Sequence, residues 1–228
     1  MDHTSGGSVM HGIGEVTLNI SFVLYFVFYL PQLWVNFRYK KITELSLGFH
    51  ALLLIGATAD LYYGFGRIHQ WQYICVSVIL FVCLVVQHVH LIMHVNKFEN
   101  GVSVLVVLSL VIIAMLYGLF HALNNSDKLV NLFVWMGWVE RIAYWLYSFP
   151  QLKKNYDNKS AACISPIFII IAVVTSLCDS ISAWTLSWGP SSLYGAPIAL
   201  LVHLVLLYQW FSLRVPASKQ DGFGWYHA

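Results

Sequence analysis

Asp60, Glu140, Arg141 and Asp179 interrupt stretches of sequence that are otherwise almost wholly apolar. Carboxyl groups in such surroundings are suited to taking up and releasing a proton, and a guanidinium is suited to gripping a carboxylate through two parallel N–H bonds. Each ionisable side chain at a bilayer centre costs about 2.5–3.5 kcal/mol on insertion scales, so four without partners would together cost on the order of 10 kcal/mol. That is comparable with the whole net stability of a fold, so the four must face a protein interior. There, the balance between desolvation and a neighbouring guanidinium lets the proton occupancy of Asp60, Asp179 and Glu140 follow the state of that interior. A static pair between Arg141 and one of the acids, holding helices together, is the competing reading.

The elements that must position these groups follow from composition. Of 228 residues, 59% are hydrophobic and 10% charged, whereas soluble domains carry about 25% charged residues. Runs without Asp, Glu, Lys or Arg extend over 22 residues between Glu15 and Arg38, 29 between Arg67 and Lys97, 27 between Glu99 and Asp127, and 34 between Asp179 and Arg214. About 20 apolar residues span the hydrocarbon core, and Gly189-Pro190-Ser191-Ser192 divides the longest run. Seven membrane-spanning helices are predicted, over residues 14–37, 46–66, 71–95, 102–122, 131–153, 162–186 and 192–213. The chain reads as an all-α integral membrane protein.

Loops alternate sides, and nine basic residues (Arg38, Lys40, Lys41, Lys97, Lys153, Lys154, Lys159, Arg214 and Lys219) fall on one side against Arg67 and Lys128 on the other. Positive charge marks the cytoplasmic face, which predicts the N-terminus outside and the C-terminus inside. The N-terminal segment has no basic start of a cleavable signal. Its shortness, with the weak Asn124-Asn125-Ser126 glycosylation sequon, leads us to expect a bacterial inner membrane rather than a lysosomal one.

Shifting the chain by 119 residues superposes Tyr25 on Tyr144, Pro31-Gln32-Leu33 on Pro150-Gln151-Leu152, and Asn36 on Asn155. The same shift carries Lys40 to Lys159, Ser46 to Ser165, Phe49 to Phe168 and Asp60 to Asp179. The chain is therefore a duplicated three-helix unit with a linker helix between the copies, a 3+1+3 arrangement. Its parts are a short outer N-terminus at 1–13, a first repeat at 14–95, the linker helix and its loops at 96–130, a second repeat at 131–213, and a cytoplasmic tail at 214–228. One extra crossing makes the repeats parallel, a construction in which a solute site lies at the repeat interface and one half rocks against the other. Asp60 stands 14 residues beyond Ser46, about 21 Å along a helix and past the midplane. Asp179 shares that depth by the repeat and Glu140 and Arg141 lie close to it, so all four are expected to line one outward-opening cavity.

The segments Phe28-Tyr29-Leu30-Pro31-Gln32-Leu33-Trp34-Val35-Asn36 and Ser148-Phe149-Pro150-Gln151-Leu152-Lys153-Lys154-Asn155 each resemble a PQ-loop motif. Two such motifs in a seven-helix chain resemble the PQ-loop transporters, a group including cystinosin and the lysosomal cationic amino acid exporters, and the related SWEET sugar carriers. The resemblance implies two PQ-loop repeats, transport by alternating access, and hinges at Pro31 and Pro150. A proline within a helix removes a backbone hydrogen bond and kinks it, and Gln32 and Gln151 are placed to satisfy the carbonyls so released.

A zwitterionic solute needs an anion site and a cation site, which Arg141 and Glu140 supply, and Tyr62 and Trp145 are the aromatic candidates beside them. The expectation is a proton-coupled transporter of an amino-acid-like solute. A facilitative sugar carrier, favoured by Leu61-Tyr62-Tyr63-Gly64 and the aromatic residues Trp138 and Trp184, and a seven-helix receptor or sorting protein are the alternatives. His50 and His203 are candidate proton relays. His90 and His94 share a helix face but lack a third metal ligand, and Cys75, Cys83, Cys163 and Cys178 show no ligand spacing. No enzyme motif of the HExxH or GxSxG kind occurs, and a net charge of +2 does not point to nucleic acid. The implied partners are a small solute, protons and lipid, without cofactor.

Overall fold

The computed structural model describes residues 4–39, 45–66, 71–94, 101–124, 129–161 and 163–213. Lys40, Lys41, Arg67, Lys97, Lys128, Arg214 and Lys219 of the charge asymmetry lie outside them, as do Asn125 and Ser126 of the sequon, the tail at 214–228 and the side chain of His94.

Among the described residues the apolar runs form nine helices: α1 (Thr4–Phe28), α2 (Leu30–Tyr39), α3 (Leu47–Gly66), α4 (Trp71–His94), α5 (Gly101–Leu123), α6 (Val130–Leu146), α7 (Ser148–Asp157), α8 (Pro166–Thr185) and α9 (Pro190–Leu213). α1 and α2 together make one crossing, as do α6 and α7, so the nine segments give seven crossings. The predicted spans 14–37 and 131–153 are thus each interrupted, around Tyr29 and Tyr147. A proline ring crowds the carbonyl four residues back and leaves it without its N–H partner. Here those carbonyls belong to Val27 and Leu146, and each axis breaks in the turn ahead of Pro31 or Pro150. α1 also starts earlier than expected, at Thr4, and an exposed His11–Glu15 pair at 3.6 Å spans one turn of the extension. Cys163 sits just ahead of α8 rather than within a span.

Among the described residues, five helical stretches are long and apolar enough to cross a bilayer by length and composition alone. The remaining crossings, α3 and α6–α7, carry Asp60, Glu140 and Arg141, and these are buried. Trp34, Val107, Trp135 and Trp184 are by contrast exposed, the inverse of a water-soluble surface and suited to lipid contact. The chain is a multi-pass membrane protein.

Packing runs crosswise between the copies: α1 lies against α8 and α3 against α6, with α4 and α9 flanking and α5 resting on α3 and α4. Gly56 lets α3 and α6 close together, because a Cβ there would stand 2.8 Å from the Tyr144 ring. The repeat mates Phe49 and Phe168 are both fully buried at the centre of one core cluster. α8 begins with Ser165 as N-cap, its Oγ accepting from Phe168 N at 3.4 Å, and Pro166 follows in the first turn, where a missing N–H costs nothing. Ser46 makes the matching contact with Phe49 N at 3.4 Å.

Candidate solute and proton site

The crosswise packing leaves a cavity between the helix pairs, with about 830 Å³ of empty space including its open mouth. Asp60 from α3, Glu140 and Arg141 from α6 and Asp179 from α8 all line it, with Tyr25, Tyr73, Tyr144 and Trp188. The structure therefore brings together the four ionisable residues singled out by sequence.

Their partners differ from a simple Arg–Asp bridge. Asp179 accepts hydrogen bonds from Ser21 Oγ at 2.5 Å and Tyr25 Oη at 2.9 Å, both on α1. Asp60 accepts from Ser77 Oγ at 2.6 Å and from the Tyr73 hydroxyl, both on α4. Arg141 pairs with its own neighbour, Nη1 standing 3.1 Å from Glu140 Oε1, and its Nη2 donates to Ser192 Oγ at 3.1 Å. Adjacent helical residues point well apart, so the pair forms only because the arginine has somewhere to lie. Gly195 on α9 provides that place: a Cβ there would be 2.3 Å from Arg141 Cδ. Glu140 Oε2, Arg141 Nε and the Tyr144 hydroxyl are buried without a hydrogen-bond partner among the described residues. Buried polar atoms are nearly always paired, so these three are open hydrogen-bonding positions of the cluster.

The internal repeat explains the asymmetry. Adding 119 to Ser21 and Tyr25 gives Glu140 and Tyr144, and adding it to Tyr73 and Ser77 gives Ser192 and Ala196. Asp179 thus takes its donors from the first helix of the opposite repeat. At the matching positions opposite Asp60, Glu140 replaces the serine and the Tyr144 hydroxyl makes no hydrogen bond among the described residues. Asp60 accordingly finds its donors on α4, within its own repeat. These donors were missed in the sequence, although each pair is spaced i, i+4, as residues sharing a helix face are.

Two sequence-based substrate candidates lie elsewhere. The Tyr62 hydroxyl donates to the Met115 carbonyl on α5, which ties it to the linker helix and away from the cavity lining. Trp145 Nε1 donates to Gly195 O at 3.2 Å, and its ring is not among the lining residues either. Both are interhelical packing contacts.

The glutamines also correct an expectation, because they do not serve the carbonyls released by the prolines. Gln32 Oε1 accepts from Ser165 N at 3.0 Å, and its Nε2 donates to Asn36 Oδ1 and Cys163 O. Gln151 Oε1 accepts from Ser46 N at 2.8 Å, and its Nε2 donates to Asn155 Oδ1 at 2.7 Å. Each proline-glutamine motif therefore bonds to the residue just ahead of a helix in the other repeat, at the end of the molecule away from the four ionisable residues.

The histidines join two separate networks. His50 contacts Gln87 and His88, each at 3.0 Å, and His88 contacts Ser109 at 2.8 Å, outside the cavity. His203 lines the cavity and contacts the Tyr147 hydroxyl and, at 2.7 Å, Ser176 Oγ. His90 stacks on Phe37 with ring centroids 4.2 Å apart. Among the described residues no three His, Cys, Asp or Glu side chains are grouped as metal ligands.

A family model described as PQ loop repeat matches residues 13–73 and 132–192, two stretches separated by the same 119 residues. The fold is similar to that of a eukaryotic SWEET transporter, with TM-score 0.64 and 10% sequence identity over 88% of this chain and 98% of that one. No curated protein sequence matches.

Proposed function

The chain belongs to the PQ-loop repeat family, and from that premise we propose that it is a secondary transporter that moves an amino-acid-like solute together with protons. The observation that carries this reading is the buried Glu140–Arg141 pair, whose Glu140 Oε2 and Arg141 Nε lack partners within a cavity shared by two further carboxyls.

Three carboxyls against one guanidinium leave the cavity short of positive charge in a low-dielectric setting, where unbalanced charge is costly. Protons or a cationic group on the solute must restore the balance. A solute carboxylate that docks on Arg141 competes with Glu140, and the displaced Glu140 then takes a proton or faces the solute ammonium. Solute and proton thereby enter one exchange of partners, with Asp60 and Asp179 as the further proton carriers. Rocking of the parallel repeats about the breaks ahead of Pro31 and Pro150 would alternate access. The basic-residue asymmetry supports an N-terminus outside and a C-terminus in the cytoplasm.

Uptake into proteoliposomes by a panel of amino acids and sugars, with and without an imposed pH gradient, tests the proposal. Gradient-driven accumulation of an amino acid is expected. Sugar flux indifferent to the gradient would overturn it in favour of a facilitative carrier, to which the aromatic lining is also suited, and binding without flux would point to a receptor.

A further inference from the structure

Tyr147, Ser176 and His203 form a buried polar triad on the cavity wall. Subtracting 119 from each gives Phe28, Ala57 and Leu84, the corresponding positions of the first repeat. All three are buried and apolar, in the same core cluster. The first copy of the unit therefore makes this packing without any polar atom, and the triad is not a requirement of the fold. Burying a ring and two hydroxyls where hydrocarbon suffices is unfavourable unless the polarity is used.

The triad's position identifies the use. Tyr147 is the residue at which α6 ends and α7 begins, three residues ahead of Pro150. Ser176 lies on α8 and His203 on α9, so the imidazole bridges the helix break and two other helices of the second repeat. A neutral imidazole offers one N–H and one acceptor nitrogen. One of its two hydroxyl neighbours therefore donates to the ring while the other accepts. A second proton makes both nitrogens donors, and the hydroxyl that had donated must turn its own proton away.

We infer that His203 is an additional proton-binding site of this protein, and that its protonation is transmitted through Tyr147 to the α6–α7 break, so that proton binding acts on the second repeat and not on the first. The use of this device in solute transport rests on the transporter reading above, whereas the device itself does not.

Other titratable groups that face the same cavity are Glu140, Arg141 and Tyr144 from α6, Asp179 from α8, Tyr25 from α1, Asp60 from α3 and Tyr73 from α4. α7 contributes none, since Lys153 and Asp157 pair at its exposed surface and Lys154 reaches the Leu45 carbonyl. A charged His203 adds positive charge to a cavity that holds three carboxyls, so its proton and theirs are coupled.

The test is amide hydrogen exchange of residues 144–151, corrected for intrinsic rates, at pH 4 and 7.5, with residues 25–32 of the first repeat as the internal comparison. In the wild type, acid is expected to raise exchange at 144–151 by about three- to tenfold while 25–32 stays unchanged. His203→Gln keeps hydrogen-bonding capacity but does not titrate in this range, and should abolish the pH response. So should the triple variant Tyr147→Phe/Ser176→Ala/His203→Leu, which installs the first repeat's own packing. In uptake assays both variants should lose the part of the pH profile that His203 contributes. A pH response of 144–151 that persists in His203→Gln, or an equal response at 25–32, would overturn the inference. Absence of uptake for every solute would overturn the transporter reading and leave the exchange result standing.

Discussion

Gln32 and Gln151 are exchanged between repeats: Gln32 accepts the backbone N–H of Ser165, and Gln151 accepts that of Ser46. Each side-chain oxygen thus satisfies a donor just ahead of a helix in the opposite copy, where four N–H groups per helix lack intrahelical partners. The proline-glutamine pairing gains a mechanical meaning from this, since the same turn breaks its own helix and grips the other repeat.

Replacing either glutamine by alanine leaves a serine N–H without its partner, buried at Ser165 and half-buried at Ser46, at a cost of up to about 1–3 kcal/mol. Thermal unfolding of the purified protein should register that loss for Gln32→Ala and Gln151→Ala. Because the contacts join the repeats at the end away from the four ionisable residues, labelling of an introduced cysteine from that end should also become faster in both variants.

Gly195→Ala is expected to disturb the solute site without unfolding the protein, because the added methyl meets Arg141 Cδ at 2.3 Å and forces the guanidinium from Ser192. Gly12→Ala provides the comparison, with nothing within 4 Å of its added Cβ and a helix-propensity gain of up to about 1 kcal/mol. Solute affinity should fall in the first and hold in the second.

Asp60→Asn and Asp179→Asn should reduce gradient-driven accumulation by about 5- to 150-fold, the usual range of coupling between two sites. Exchange of solute between the two faces, which needs no net proton movement, should survive better. Since Ser21 and Tyr25 reach Asp179 across the repeat interface, Ser21→Ala/Tyr25→Phe should slow turnover more than Tyr73→Phe/Ser77→Ala, whose bonds to Asp60 stay within one repeat. Equal effects of the two double variants would count against this distinction.

Tyr62→Phe should lower stability by about 1 kcal/mol through loss of the bond to Met115 and leave solute preference unchanged. A shift in solute selectivity would return Tyr62 to the binding site.

Much of this molecule was legible before its structure. Charge scarcity and the 119-residue register predicted seven crossings and a duplicated unit, and the structure shares that organisation. The four ionisable residues were visible because an apolar solvent makes each of them expensive, so their presence demands an interior. Their partners were not visible. Ser21, Tyr25, Tyr73 and Ser77 are unremarkable in a membrane helix, and only helix packing shows which carboxyl each meets. The surroundings of Tyr62 and Trp145 were not legible for the reciprocal reason: an aromatic ring in a span faces cavity, neighbour or lipid with no difference in sequence.

The sequence by itself determined the membrane setting, the number of crossings, the two proline breaks and the internal symmetry, because bilayer thickness, backbone hydrogen bonding and side-chain charge act along the chain. Tertiary structure decided where that symmetry fails. The pairing of Arg141 with Glu140 needs the space left by Gly195, the division of donors between Asp60 and Asp179 needs the crossing of α1 with α8, and the His203 triad needs three helices to meet. These are contacts between residues far apart in the chain, and no local preference encodes them.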